Sequence, residues 1–141
     1  MHLDAVADAL LQDFNDALAR ELAPLLAVAE QPFDRVIADA ARLFLRALDH
    51  DRVLVRFYAE RAASGFTAET LATGINPPAL ATLTAALAAR AGARADRRHV
   101  DLAAHGLLAL WLRVGLRYVL VPGTRRTDAE EVLVELTAGA L

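Results

Sequence analysis

The chain has 141 residues, 56% of them hydrophobic, and a formal net charge of −3, enough to bury one core without disulfides or a structural metal, with no overall attraction to nucleic acid. It contains no cysteine, and all 15 basic residues are arginine, which excludes disulfides, thiolate metal sites, cysteine nucleophiles, Schiff-base chemistry and lysine-dependent phosphate loops. Ala and Leu supply most of the apolar content while aromatic and β-branched residues are sparse, so one all-α domain over residues 1–141 is expected.

The amino terminus, MHLDAVADALLQDF, has acids in place of a basic n-region and no continuous apolar run, so no secretory signal is read there and the cytoplasm is the expected compartment. From His2 to Leu22, Leu3, Val6, Leu10, Phe14, Leu18 and Leu22 fall at helical spacing with Asp4, Asp8, Asp13 and Asp16 outside the stripe. Pro24 predicts a kink or restart before LLAVAE. Gln31-Pro32 opens a second helix to about Leu48, with Phe33, Val36, Ile37, Ala40, Ala41, Phe44, Leu45 and Leu48 on its apolar side. Asp49-His50-Asp51 marks the break, where capping is favoured over an acid–base cluster because adjacent side chains diverge.

A helix from Asp51 to Ala62 follows, with Ser64-Gly65 as its stop, then a short helical turn over Thr67–Thr73. Asn76-Pro77-Pro78 breaks this and starts another helix through Leu80, Leu83, Leu87 and Ala91 to Gly92. The basic cluster Arg90, Arg94, Arg97, Arg98 and His99 straddles an Ala-Gly turn without interleaved aromatics, so it reads as a solvated loop and not as a DNA surface.

Asp96 is the expected N-cap of a long helix ending near Val121, about 39 Å at 1.5 Å per residue. Its stretch Leu102 to Val121 matches a membrane span in length but contains His105, Arg113 and Arg117. A central Arg costs about 2.5 to 3.5 kcal/mol in a bilayer, so a buried protein helix is expected. Pro122-Gly123 stops it, and Thr127-Asp128-Ala129-Glu130 predicts a capping box for a last helix whose buried stripe is Val132, Leu133, Leu136 and Ala140. A long helix apolar on nearly every side requires more than one partner, so the closing stretch predicts a hairpin that packs on its own domain and on a second copy. The total is six or seven helices, with neither strand alternation nor a repeat period.

Taken in order, these elements resemble the carboxy-terminal effector-binding and dimerisation domain of TetR/AcrR-family transcriptional regulators. The resemblance rests on the Ala/Leu-rich first helix, the Pro-initiated second helix ending at ALDHDRVLVRFYAE, and the closing LAAHGLLALWLRVGLRYVLVPG with DAEEVLVEL. It implies a bundle whose central helices enclose an effector pocket and whose last two helices form a four-helix dimer interface with a partner copy. Members of the family begin with a three-helix helix-turn-helix module, for which there is no room before Leu3. The DNA-reading part is therefore expected to be absent, and the chain alone to make no DNA contact.

Bulky groups on an Ala-rich background are the pocket candidates: Phe44, Phe57, Tyr58, Phe66, Leu108, Trp111 and Tyr118, with His105 as the polar group, placed four residues after Asp101. The expected occupant is a hydrophobic or aromatic small molecule; no cofactor or metal is expected. The dimer candidates are Gly106, Leu110, Arg113, Val114, Arg117, Leu133 and Leu136, with Glu130, Glu131 and Glu135 as partners for the two arginines. Gly106 and Gly115 cost about 1 kcal/mol each against Ala in a helix, which a close helix crossing at the dimer interface would explain.

Signals for catalysis are weak. No Glu is followed three residues later by His, His99 and His105 fall on different helix faces, and the lone Ser64 is not in a Gly-x-Ser-x-Gly turn, so the chain is read as a non-enzyme. The alternative from another class is a structural or interaction dimer with a fully packed core and no small-molecule site, pairing with another regulator.

Overall fold

The computed structural model describes residues 2–27, 31–65, 77–91 and 96–140, and every regular element among them is an α-helix. In chain order these are α1 (His2–Ala27), α2 (Phe33–His50), α3 (Arg52–Gly65), α4 (Pro77–Ala91), α5 (Arg97–Leu120) and α6 (Arg126–Ala140). The turn of helix expected over Thr67–Thr73 lies outside the described residues. Among the described residues no helix is long and apolar enough to cross a membrane.

The most strongly two-faced helix is α2. Val36, Ile37, Ala40, Ala41, Phe44, Leu45 and Leu48 are buried along one side, while Arg42 and Arg46 stay in solvent. Pro32 precedes it in an extended conformation, its carbonyl taking the amides of Arg35 and Val36, and Asp34 in the first turn suits the positive end of the helix dipole. Alanines at 40 and 41 let neighbours approach closely. α2 packs most extensively on α6, and α1 on α4.

Pro24 lies inside α1 instead of breaking it. Proline removes one amide donor and crowds the carbonyl one turn back. Because only three described helical residues follow it, the disturbance is confined to the last turn. Pro77 opens α4, where a missing amide costs nothing.

Asp96 caps α5 as expected, its side chain accepting the Arg98 amide at 3.1 Å. At the other end the Val121 amide reaches the Arg117 carbonyl at 2.9 Å, the Thr124 hydroxyl donates to the Val121 carbonyl, and Gly123 turns the chain with φ 85°, a conformation open to glycine. α6 then begins at Arg126, ahead of Thr127, so the anticipated capping box is replaced by a tertiary anchor: the Arg126 guanidinium lies 3.4 Å from Asp49 on α2 and 3.9 Å from Glu130.

The inward line of α6 also differs from the sequence pattern. Ala129, Leu133 and Thr137, four residues apart, are buried, whereas Val132 and Leu136 are 40% and 46% exposed; the side chain of Ala140 lies outside the described residues. Two contacts fix this rotation: the small Ala129 sits in the core against α2 neighbours, and the Thr137 hydroxyl accepts the Trp111 indole N–H at 2.8 Å.

Two apolar clusters form the core. The larger joins Leu18, Ala41, Phe44, Leu45, Leu48, Val55, Tyr118, Val119, Ala129 and Leu133; the smaller joins Leu87, Val100, Ala104 and Leu107 between α4 and α5. The larger is organised around Gly115. A Cβ built there would lie 2.7 Å from Leu48 Cδ1 and 2.8 Å from Phe44 Cζ, so α5 crosses α2 where only glycine fits. The tight crossing is thus within the chain, and not at a dimer interface. Gly106, by contrast, faces open space.

The two glycines therefore predict opposite signs. Gly115→Ala overpacks a closed contact and is expected to destabilise by about 1 to 3 kcal/mol, while Gly106→Ala gains helix propensity and is expected to stabilise by up to about 1 kcal/mol. Urea denaturation of the two variants checks the contrast.

Candidate functional site

Where the two clusters fail to meet, a cavity of about 140 Å³ remains, lined from all six helices. α1 contributes Leu11, Phe14, Asn15, Leu18, Leu22 and Leu26, and α2 contributes Phe33, Ile37, Ala40, Phe44 and Leu48. Val55 and Tyr58 come from α3, Thr82, Leu83, Ala86, Leu87 and Arg90 from α4, and Leu107, Leu108, Trp111, Leu112 and Leu116 from α5; Thr137 of α6 completes the wall. The lining is overwhelmingly apolar with a few placed polar groups, the composition of a small-molecule site between bundle helices.

Trp111 is the wall residue with the most defined setting. Its ring lies 5.5 Å from that of Phe44 at 52°, and its N–H is bound by Thr137, which is itself 4% exposed. Tyr58 is half-buried, and its hydroxyl has no hydrogen-bond partner among the described residues; burial raises its pKa. Arg90 extends over the Phe33 ring with its guanidinium carbon 4.9 Å from the centroid.

Of the residues expected at a pocket, the structure brings together Phe44, Tyr58, Leu108 and Trp111. Phe57, next to Tyr58 on α3, turns to the outside and is 40% exposed, since successive helical residues diverge by about 100°. His105 is half-buried outside the lining, with Nδ1 2.9 Å from the Asp101 carbonyl and 3.8 Å from its carboxylate. Phe66 lies outside the described residues. Missed from sequence were the α1 and α4 walls, Asn15, Ala86 and Arg90 among them. The apolar stripe of α1 was visible, but nothing in it distinguishes a cavity wall from a packed one. Arg90 is part of α4 against Phe33, not of a solvated loop.

Tyr118 closes the core beyond the cavity. Its hydroxyl donates to both Asp49 carboxylate oxygens at 2.9 Å, Arg52 donates to the same group at 2.8 Å, and Arg126 approaches at 3.4 Å. Arg52 also reaches the Tyr118 and Val119 carbonyls at 3.4 Å and lies over the Tyr118 ring. Burial, and then the bond to Asp49, raise the Tyr118 pKa. His50 is exposed and lies beside Asp51 at 3.5 Å, while Asp49 turns to Tyr118, so Asp49 separates from the triplet but the adjacent His50 and Asp51 do not diverge.

On the outer side of the α5–α6 hairpin, Gly106, Arg113, Arg117 and Leu136 are exposed, together with Leu102, Leu120 and Val132. Leu133, expected at the dimer interface, is instead fully enclosed in the chain's own core. Leu110 and Val114 are partly buried against the smaller and larger clusters. Neither Arg113 nor Arg117 meets an acid among the described residues, and Glu130 turns to Arg126. Among the described residues, no group of three or more His, Asp or Glu is placed to hold a metal.

Comparison with family models, with curated proteins and with solved structures finds no match for this chain.

Tyr58 and Tyr118 are the chain's two tyrosines, and with no lysine or cysteine present they dominate its alkaline titration. A raised phenol pKa favours the neutral form in the folded state. This contribution is complete below the ordinary value of 10.0 and disappears as pH rises through the raised values. Stability by urea denaturation is expected to fall above that pH, with a shallower fall in Tyr118→Phe and the shallowest in the double Phe variant.

Proposed function

We propose that the chain is a homodimeric small-molecule-sensing domain that binds an apolar or aromatic effector between its helices without chemistry, similar in role to the effector-binding half of TetR/AcrR-type transcriptional regulators. The cavity carries this reading. An apolar space of about 140 Å³ is expensive to leave in a protein interior, and its walls come from every described helix, so an occupant would touch all of them. The wall is tied to the closing hairpin by the Trp111–Thr137 hydrogen bond, which offers a route by which occupancy biases the position of α6.

Support for self-association comes from the outer face of that hairpin. Leu102, Val132 and Leu136 are exposed there, and Arg113 and Arg117 on α5 accompany Glu131 and Glu135 on α6, all exposed. A two-fold axis across such a face would cover the leucines and place each arginine pair beside the partner's acids.

The first test is thermal shift with a panel of small apolar compounds. Occupancy of the folded state is expected to raise Tm, by about 2.7 kcal/mol in stability at one hundred times Kd. Ala86→Leu, which extends a side chain into the cavity, is expected to keep or raise the apo Tm and to abolish the shift. A wild-type Tm indifferent to the whole panel would instead favour a purely structural dimer. The second test is light scattering: Leu136→Glu is expected to yield a monomer that stays helical by circular dichroism, and a persisting dimer would move the interface elsewhere.

A further inference from the structure

Two polar side chains of the cavity wall are bonded to each other, and the bond leaves one of them with a proton unspent. Trp111 of α5 and Thr137 of α6 both line the cavity, with the indole nitrogen 2.8 Å from Thr137 Oγ1. An indole N–H donates and cannot accept, so the Thr137 oxygen is the acceptor in this bond and its own O–H remains a donor. A threonine inside a helix can give that proton to the carbonyl one turn back, as Thr84 of α4 does to Leu80 at 2.8 Å. Thr137 is 4% exposed and makes no such bond among the described residues. A buried donor without an acceptor is tolerated less well than an unused lone pair, so the group complementary to this wall is a hydrogen-bond acceptor.

The rest of the lining narrows that acceptor to a carbonyl oxygen. A ligand hydroxyl or N–H would bring a proton of its own into an overwhelmingly apolar space, whereas a carbonyl brings lone pairs alone. A carboxylate would need a countercharge, and Arg90, the charged residue of the lining, already has partners within the chain. Volume limits the remainder of the molecule: a core cavity of about 150 Å³ lined by aliphatic and aromatic side chains admits benzene, and this one measures about 140 Å³. Resting on the reading of the cavity as an effector site, we propose that its ligand is an uncharged carbonyl compound about the size of a single ring, its oxygen accepting the Thr137 hydroxyl while Trp111 fixes that hydroxyl in place.

The experiment measures, by calorimetry on the full chain, the affinities of acetophenone, of α-methylstyrene, in which a methylene replaces the carbonyl oxygen, and of benzoate. Water-to-hexadecane partition of the first two gives the affinity ratio that an apolar cavity alone would produce. The ketone is expected to exceed that ratio by at least about tenfold, and benzoate to bind at least about tenfold more weakly than the ketone. The excess is expected to persist in Tyr58→Phe, which removes another hydroxyl of the lining. It is expected to vanish in the double variant Trp111→Phe, Thr137→Val, which leaves no indole proton to take the place of the hydroxyl. An excess that survives the double variant or is lost in Tyr58→Phe overturns the proposal, as does tighter binding of benzoate. If the double variant does not fold, a nuclear Overhauser contact between the acetophenone methyl and the Thr137 methyl in the wild-type chain decides, and its absence counts against the proposal. Ketone and alkene bound in the partition ratio overturn the carbonyl class and leave the effector site standing. Binding of neither also overturns the carbonyl class, and the effector reading falls with it only if the wider apolar panel leaves Tm unchanged.

Discussion

The crossing of α5 over α2 at Gly115 is the contact from which the rest of the arrangement follows. With no side chain at 115, Phe44 and Leu48 of α2 occupy the space a Cβ would need, and the two helices are held in one register. Four residues before the glycine, Trp111 then lands on Phe44; three residues after it, Tyr118 lands on Asp49. One face of α5 and one face of α2 therefore set both the wall of the cavity and the polar lock at the end of the bundle. A larger residue at 115 would part the helices and loosen both together.

The polar lock and the cavity divide the molecule energetically. Around Asp49, a tyrosine and two arginines from α3, α5 and α6 converge on one carboxylate at the end of α2, and Arg52 also satisfies carbonyls at the end of α5. Several charge-assisted bonds on one partly buried group are cooperative and hold four helix ends at fixed positions. The space between the two clusters works in the other direction: its wall side chains lack part of the packing contact that a closed core provides. The chain is firm where helices end and deficient where they face one another, so that a filling molecule would recover part of what packing leaves unmade.

Local signals in the sequence were legible, and signals that depend on rotation of a helix about its axis were not. Asp96 is recognisable as a cap because the donor it satisfies is two residues away, and the buried face of α2 is recognisable because its period is uninterrupted over the whole helix. The last helix carries apolar residues on several sides, so pattern alone could not say whether Leu133 or Leu136 turns inward; Ala129 and the Trp111–Thr137 bond decide it. The capping box at Thr127 was a sound local motif that lost to Arg126 reaching Asp49, 77 residues away in the chain. For the same reason the wall residues of α1 and α4 could not be picked out. A leucine beside a void and a leucine beside another leucine look identical until the helices are placed. Tyr58 and Phe57 show the limit most plainly, adjacent rings of similar size of which one lines the cavity and the other faces outward.

In the proposed reading, α5 and α6 each serve two masters across the width of one helix. Trp111 and Thr137 face the cavity, while Arg113 and Leu136, two residues and one residue away, face outward. A helix is stiff across its diameter, so a shift of the Trp111 ring that is not absorbed by rotation about its own torsions moves the outward residues with it. The hydrogen bond to Thr137 and the stack on Phe44 restrict that rotation. Occupancy would then be transmitted as displacement of α5 and α6 together, because the bond joins them, and the far end of the hairpin would act as the pivot, because Asp49 holds Tyr118 and Arg126 there. In this reading the Pro122-Gly123 end of the hairpin is held by Asp49 while the cavity wall on α5 runs from Leu107 to Leu116, so any displacement would grow with distance from the held end.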